Sequence, residues 1–259
     1  MNLATTPRLR IGFLLAPRFT LSAFATFVDV LRLAADDGDG SRPIRCRWTV
    51  LSRDMTPIQS SCGIKIQPEE PLGDPSRFDY IVTVGGLIDP ATTLSPEAAA
   101  FLKRAAEARV SLAGICTGVF ALARCGLMDG YRSCVSWFHH EDFLSEFEKM
   151  RPVSDQIFVV DRDRLSCSGG VSAAHLAAFL VDRHIGRAAA RSAVDPDDRR
   201  GFDRRPSAAG PAAGADGARS FGAPCAARNA AKPPCAAVHC ANCPRSRRRT
   251  AQTGAAFQR

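Results

Sequence analysis

Cys116 is the residue whose type and setting most plainly offer chemistry. It lies in VSLAGICTGVF (110–120), where an apolar β-like run ends in Gly114-Ile115-Cys116-Thr117-Gly118 and a helical pattern follows at once with Val119, Phe120, Leu122 and Ala123. A strand that turns sharply into a helix, with one reactive side chain on the turn and small residues around it, is the arrangement of a nucleophile elbow. The glycines allow positive φ and a close start of the helix against the strand. A thiol near a helix N-terminus meets unpaired N–H groups that favour the thiolate. A small buried cysteine is the ordinary alternative, but the strand–turn–helix setting favours a pocket.

A thiol nucleophile for acyl transfer needs a base and an orienting acid nearby. Thr117, the next residue, cannot serve as the base. Of the five histidines, His139 and His140 begin a helix after Trp137 and are expected to face solvent or cap it. His175 and His184 fall inside and at the end of a later helix, and a charged His184 suits the negative helix end. His239 lies far downstream. Gly85-Gly86 follows a strand and could present N–H groups to an oxyanion or carboxylate; an ordinary tight strand exit explains it equally well. Trp137 and Phe19 are candidate pocket walls, although large aromatics are core residues by default. There is no GxGxxG or Walker pattern, so a phosphate cradle has no support. The expected ligand-binding set is Phe19, Gly85, Gly86, Cys116, Thr117, Trp137, Ser168, Gly169 and Gly170, with no cofactor and no metal.

These residues need a scaffold, and hydropathy patterning supplies one. LRIGFLL (9–15) reads as a buried strand, followed by a turn and a helix over about 20–35 with Phe24, Phe27, Val28 and Leu31 at helical spacing. Residues 46–51 alternate as a strand, and 58–66 around Gly63 suggest a hairpin. Residues 78–84 form a strong strand signal ended by Gly85-Gly86. A helix over about 96–108 takes Ser95 as its N-cap, and Cys125-Gly126 closes the elbow helix as a glycine C-cap. A short strand at 131–135, a helix at 139–149, two strands at 156–161 and 164–167, and a helix over about 172–185 complete the series. Alternating strands and helices argue an α/β sandwich with a mostly parallel sheet. Ligands then bind beyond the carboxyl ends of the strands, where the turns at 85–86, 114–118 and 168–170 would meet.

Composition divides the 259-residue chain in two. From Asp195 onward there are 12 Lys/Arg against 5 Asp, a net of +7 out of +8 for the whole chain. Residues 1–194 are nearly balanced, with no charge excess of the nucleic-acid-binding kind. The segment 195–259 has no Leu, Ile, Met, Trp, Tyr or Glu, so it cannot bury enough surface to offset chain entropy and is expected to be disordered. Its composition also fits a GC-rich gene read out of frame. Cys235, Cys240 and Cys243 with His239 have a C-x4-C-x2-C spacing, but without a second pair a zinc site is not expected. Arg247-Arg248-Arg249 reads as a solvated charge run. No apolar run reaches the roughly 18 residues of a transmembrane helix, and the N-terminus does not read as a signal peptide. The scattered cysteines at 46, 62, 116, 125, 134 and 167 suggest free thiols in a reducing cytoplasm.

Taken together, VGG (84–86), AGICTGVFALARCGLMDG (113–130), VSWFHHEDF (135–143), DQIFVVDRDRLSCSGG (155–170) and HLAAFLVDRHIGRAAAR (175–191) resemble the N-terminal sensory domain of GlxA-type regulators of the AraC/XylS family. That domain has the ThiJ/PfpI, class I glutamine amidotransferase-like fold. The resemblance covers residues 8–191 and implies a flavodoxin-like sandwich. Its implied ligand is a small metabolite such as an amino acid or amine, and a homodimer is a further implication. It also implies a helix-turn-helix domain for DNA downstream, which the Ala/Arg/Pro-rich segment does not resemble, so specific DNA binding is not expected. In catalytic relatives the elbow cysteine is followed by histidine, and a glutamate occupies the first strand–helix turn. Here those places hold Thr117 and Ala16-Pro17-Arg18-Phe19-Thr20. The expectation is therefore a non-catalytic sensor, with a cysteine hydrolase, amidase or glyoxalase-like enzyme using Cys116 as the alternative.

Overall fold

The computed structural model describes residues 7–36, 40–89 and 93–194. The expected disordered tail at 195–259, with its cysteine cluster, lies outside the described residues. Strands β1 (Leu9–Leu15), β2 (Cys46–Ser52), β5 (Glu70–Pro71), β6 (Tyr80–Val84), β7 (Ser111–Ile115), β10 (Phe158–Asp161) and β11 (Arg164–Cys167) form one sheet in the order β10-β11-β7-β6-β1-β2-β5. All neighbours run parallel except β10 against β11, which are joined by the turn at Arg162. Two small pairs stand outside it: the hairpin β3 (Ile58–Gln59) with β4 (Lys65–Ile66), and β8 (Ser133–Cys134) with β9 (Pro152–Val153).

Helices cover both faces. On one lie α1 (Leu21–Ala34), α5 (Val171–His184) and α6 (Arg187–Val194); on the other α2 (Pro96–Glu107), α3 (Gly118–Arg124) and α4 (His140–Glu146). The period-two alternation of the strands decides which residue meets which layer. Leu9, Ile11, Phe13 and Leu15 of β1 pack with Phe27, Leu31, Leu176 and Leu180, while Leu14, Ile81 and Leu112 pack with Phe101, Leu102, Val119 and Phe120. Central strands buried on both faces explain the unbroken apolar runs in the sequence. Ser95 Oγ accepts the Ala98 N–H and Pro96 starts α2, so that helix begins where the sequence places it. Gly126, at φ 72°, ends α3 by donating to Ala123 O at 2.9 Å.

Several expected boundaries shift. The helix expected from His139 to Lys149 is α4 alone, preceded by a 3-10 turn at Trp137–His139 whose entry Ser136 caps. α6 was not expected as a helix; Ala190 and Ala193 bury against the α1–α5 layer while its arginines stay outside. At the end of α5 the setting of His184 favours its neutral ring over the charged one. Its Nε2 lies 3.0 Å from the Tyr80 hydroxyl, and burial lowers its pKa, with Asp79 opposing and Arg183 adding to that effect.

Candidate functional site

Backbone bonds running past the strand ends assemble the site. The Ala16 N–H donates to Val84 O at 3.0 Å, Gly85 N–H to Ile115 O at 3.0 Å, and Cys116 N–H to Cys167 O at 3.1 Å. The carboxyl ends of β1, β6, β7 and β11 are thereby laced together, one turn beside the next. This is the edge where an open α/β sheet offers its crevice.

Cys116 sits on this edge with φ 56°. A left-handed non-glycine residue costs on the order of 1–3 kcal/mol and persists only when its surroundings enforce it. The enforcement is visible in the glycines. A methyl on Gly118 would lie 2.0 Å from Thr83 O, and one on Gly114 2.7 Å from Val119 Cα and N. Only residues without Cβ let α3 start directly against β6 and β7. Gly85 meets the backbone of Thr117 and Gly118, and Gly86 meets that of Arg18 and Phe19; an added Cβ would come within 2.3 Å of Thr117 C and 1.9 Å of Arg18 O. Gly169, at φ 96°, packs on Cys116, with its would-be Cβ 3.1 Å from Sγ.

The thiol of Cys116 is half-buried. Its hydrogen-bond partner among the described residues is Thr20 Oγ1, at 3.5 Å. Thr20 opens α1, yet its side chain makes no cap bond, which leaves the hydroxyl for the thiol. Thr117 turns the other way and donates Oγ1–H to Gly86 O at 2.9 Å. Ser168 and Ser172 share a 3.0 Å hydroxyl contact, and Ser172 also donates to Gly169 O at 2.7 Å, fixing the third turn. Thr26 on α1 donates to Gly170 O at 3.2 Å, tying α1 to the same turn.

No histidine is bonded to the thiol among the described residues. His139 Nδ1 lies 2.9 Å from Asp142, His140 Nδ1 lies 2.7 Å from Ser154 Oγ, and His184 bonds Tyr80. His175 is on the exposed side of α5. Among the described residues, no group of three or more His, Cys, Asp or Glu is placed to hold a metal ion.

The expected site residues separate into groups. Gly169 packs on the thiol of Cys116, with Ser168 and Gly170 on the same turn, and Thr20, outside the expected set, lies beside it. Gly85, Gly86 and Thr117 instead line a cavity of about 260 Å3 between α2 and α3, together with Leu87, Phe120 and Arg124. Arg124 is held there by Glu146 through two bonds of 2.6 and 2.9 Å. Two walls need correction. Phe19 is fully buried, edge-on to Phe24 with centroids 5.9 Å apart, so its ring belongs to the core beneath the edge. Trp137 is 79% exposed and lies edge-to-face with Phe138 at the surface, centroids 6.0 Å apart; a 3-10 turn capped by Ser136 leaves both rings exposed. Thr20 is the contact that sequence reasoning missed. Its position in the first strand–helix turn, at the carboxyl end of β1, is the signal the sequence carries for it.

Residues 10–182 match the DJ-1/PfpI family. The HTH-type transcriptional regulator GbdR of Pseudomonas aeruginosa is 33% identical over 180 residues, 68% of this chain and 47% of that one. The HTH-type transcriptional regulator GlxA of Rhizobium meliloti is 27% identical over 188 residues, 72% of this chain and 56% of that one. The isonitrile hydratase of Pseudomonas putida is 30% identical over 171 residues, 64% of this chain and 67% of that one. The chain spans about half the length of the regulators it matches. Among solved structures, an AraC family transcriptional regulator from Pseudomonas putida superposes with a TM-score of 0.62 at 27% identity, covering 71% of this chain and 97% of that one. Fold, elbow and sequence similarity agree: the chain belongs to the DJ-1/PfpI family.

Proposed function

We propose that residues 10–182 form the small-molecule-sensing domain of an HTH-type transcriptional regulator, and that its elbow recognises a ligand without turning it over. The observation that carries this reading is the neighbour of the thiol. A hydroxyl, Thr20 Oγ1, stands 3.5 Å from Cys116 Sγ, where activation of the thiol calls for a histidine or carboxylate base. The similarity to GbdR and GlxA supports a regulatory role. The ligand is a small metabolite, an amino acid, amine or relative, taken up where the Gly85-Gly86 turn and Thr117 line the 260 Å3 cavity. Residues 1–194 carry 22 Lys/Arg against 21 Asp/Glu, so this part lacks the cationic surplus that tracks phosphates, and we assign it no DNA contact. The free thiols at 46, 62, 116, 125, 134 and 167 support a cytoplasmic setting.

A second reading, a thiol enzyme, is favoured by the left-handed Cys116 and by the similarity to isonitrile hydratase. Thermal-shift titration of the whole chain with amino acids and amines, run beside product assays with an isonitrile and an amide, separates the two. Saturable stabilisation by one ligand class without product supports the sensor. Product formation that Cys116→Ser abolishes supports the enzyme and sinks the sensor.

A further inference from the structure

A larger cavity lies on the other side of the crossing that Arg18 makes with Gly86. Its volume is about 420 Å3, within the range of small-molecule sites. It opens at the carboxyl ends of β1 and β2, between the 52–59 loop and the start of α2. Cys116 and Thr117 do not line it. Leu14, Leu15, Leu51 and Ala98 line it and are buried. The exposed rim is polar, and its charges are Arg18, Arg53 and Asp54.

Those charges do not cancel evenly. Arg53 is spent on its neighbours, Asp54 at 3.4 Å and Glu97 at 3.4 Å. Asp54 in turn accepts from the Thr56 N–H and hydroxyl. No described residue bonds or pairs with the guanidinium of Arg18. Its backbone is nevertheless held firmly, at φ 60°, with N–H donating to Gln59 O at 2.9 Å and its carbonyl accepting from Leu87 N at 3.4 Å. A strained, doubly anchored residue whose cation has no partner among the described residues, at the rim of an apolar cavity, suits a ligand with an anionic head and an apolar body.

We propose that this cavity is a second small-molecule site, for an amphipathic monocarboxylate whose carboxylate pairs with Arg18 and whose chain lies on Leu14, Leu51 and Ala98. It is separate from the elbow and does not depend on the sensor reading. Leu94 lines both this cavity and the 260 Å3 one, and Gly86 touches Arg18 on one side and accepts from Thr117 on the other. The two sites therefore share a wall.

The test is calorimetric titration of the whole chain with octanoate, with octanol as the uncharged and octylamine as the oppositely charged control. Saturable one-site binding of octanoate, with octanol and octylamine about tenfold weaker or more, is expected, because hydrogen bonds to a charged group discriminate on that scale. Arg18→Asn removes the cation and keeps a residue that tolerates positive φ; it should weaken octanoate about tenfold while the melting temperature holds. Cys116→Ser should bind octanoate as the parent does. Ala98→Leu, which fills the cavity from α2, should also abolish binding, and a far-ultraviolet spectrum checks its folding. Absent octanoate binding, equal binding of octanol, an unaffected Arg18→Asn variant, or loss of binding in Cys116→Ser overturns the proposal.

Discussion

Replacing Gly118 by alanine tests the packing that makes the elbow. Gly118 is the first residue of α3, and on helix propensity alone alanine there is favourable by roughly 0.5–1 kcal/mol. The geometry reverses the sign. The new methyl would lie 2.0 Å from Thr83 O, 2.9 Å from Thr83 C and 3.2 Å from Gly85 N. All three are backbone atoms of the central strand or its exit, so no side chain can swing aside. Overpacking of this kind costs about 1–3 kcal/mol and sometimes more. A net loss of about 2 kcal/mol is expected, which lowers the melting temperature by about 4–8 °C for a domain of this size. Gly73→Ala is the control, because its nearest neighbour is Pro71 O at 4.0 Å; it should stay within about 0.5 kcal/mol of the parent. Urea titration of the two variants decides. A Gly118→Ala protein as stable as the parent would refute the argument that close backbone approach fixes the turn.

Thr83→Val should leave stability unchanged or raise it by about 1 kcal/mol in urea melts, because Thr83 Oγ1 is buried without a hydrogen-bond partner among the described residues; a clear loss would reveal a partner. Phe120→Ala should cost about 3–5 kcal/mol in the same assay, since Phe120 is buried edge-on to Phe143 at 4.9 Å. Burial pushes Cys46 and Cys134 up to about 12 and Cys167 to about 11. These thiols hold their protons in the folded state longer than in the unfolded chain, where they titrate near about 8.5. Their contribution is full below that value and is lost as pH rises towards about 11–12, so the urea midpoint should fall between about pH 8.5 and 11, and fall less in Cys46→Val. His184 behaves oppositely: its lowered pKa favours the neutral ring, so its contribution is lost as pH falls below about 6.5, and His184→Gln should flatten that part of the profile.

Much of this was written in the sequence where one local rule decides. The apolar runs 9–15 and 78–84 are short, carry β-branched and aromatic residues and are bounded by turn signals, which favours buried strands, and AGICTG marks the elbow because glycines flank the thiol where an apolar run meets a helical pattern. Three outcomes escaped because they depend on distant partners. Phe19 is expected to wall a pocket, yet its ring is fully buried, edge-on to Phe24 of α1, which itself packs edge-on to Phe13 of β1. Trp137 is also expected to wall a pocket, yet the 3-10 turn that Ser136 caps leaves its ring exposed. The 420 Å3 cavity joins Arg18, Leu51 and Leu94, residues separated by long stretches of chain, and no spacing rule links them. The opposition of Thr20 to Cys116 is of the same kind, a contact across 96 positions.

That contact also frames the most direct test of the sensor account. The whole chain and its Cys116→Ser variant are incubated with an isonitrile, and product is followed by chromatography. With Thr20 rather than a base beside the thiol, both proteins should give the same background rate as buffer. Turnover by the parent that vanishes in Cys116→Ser would contradict the account and make the elbow an active site.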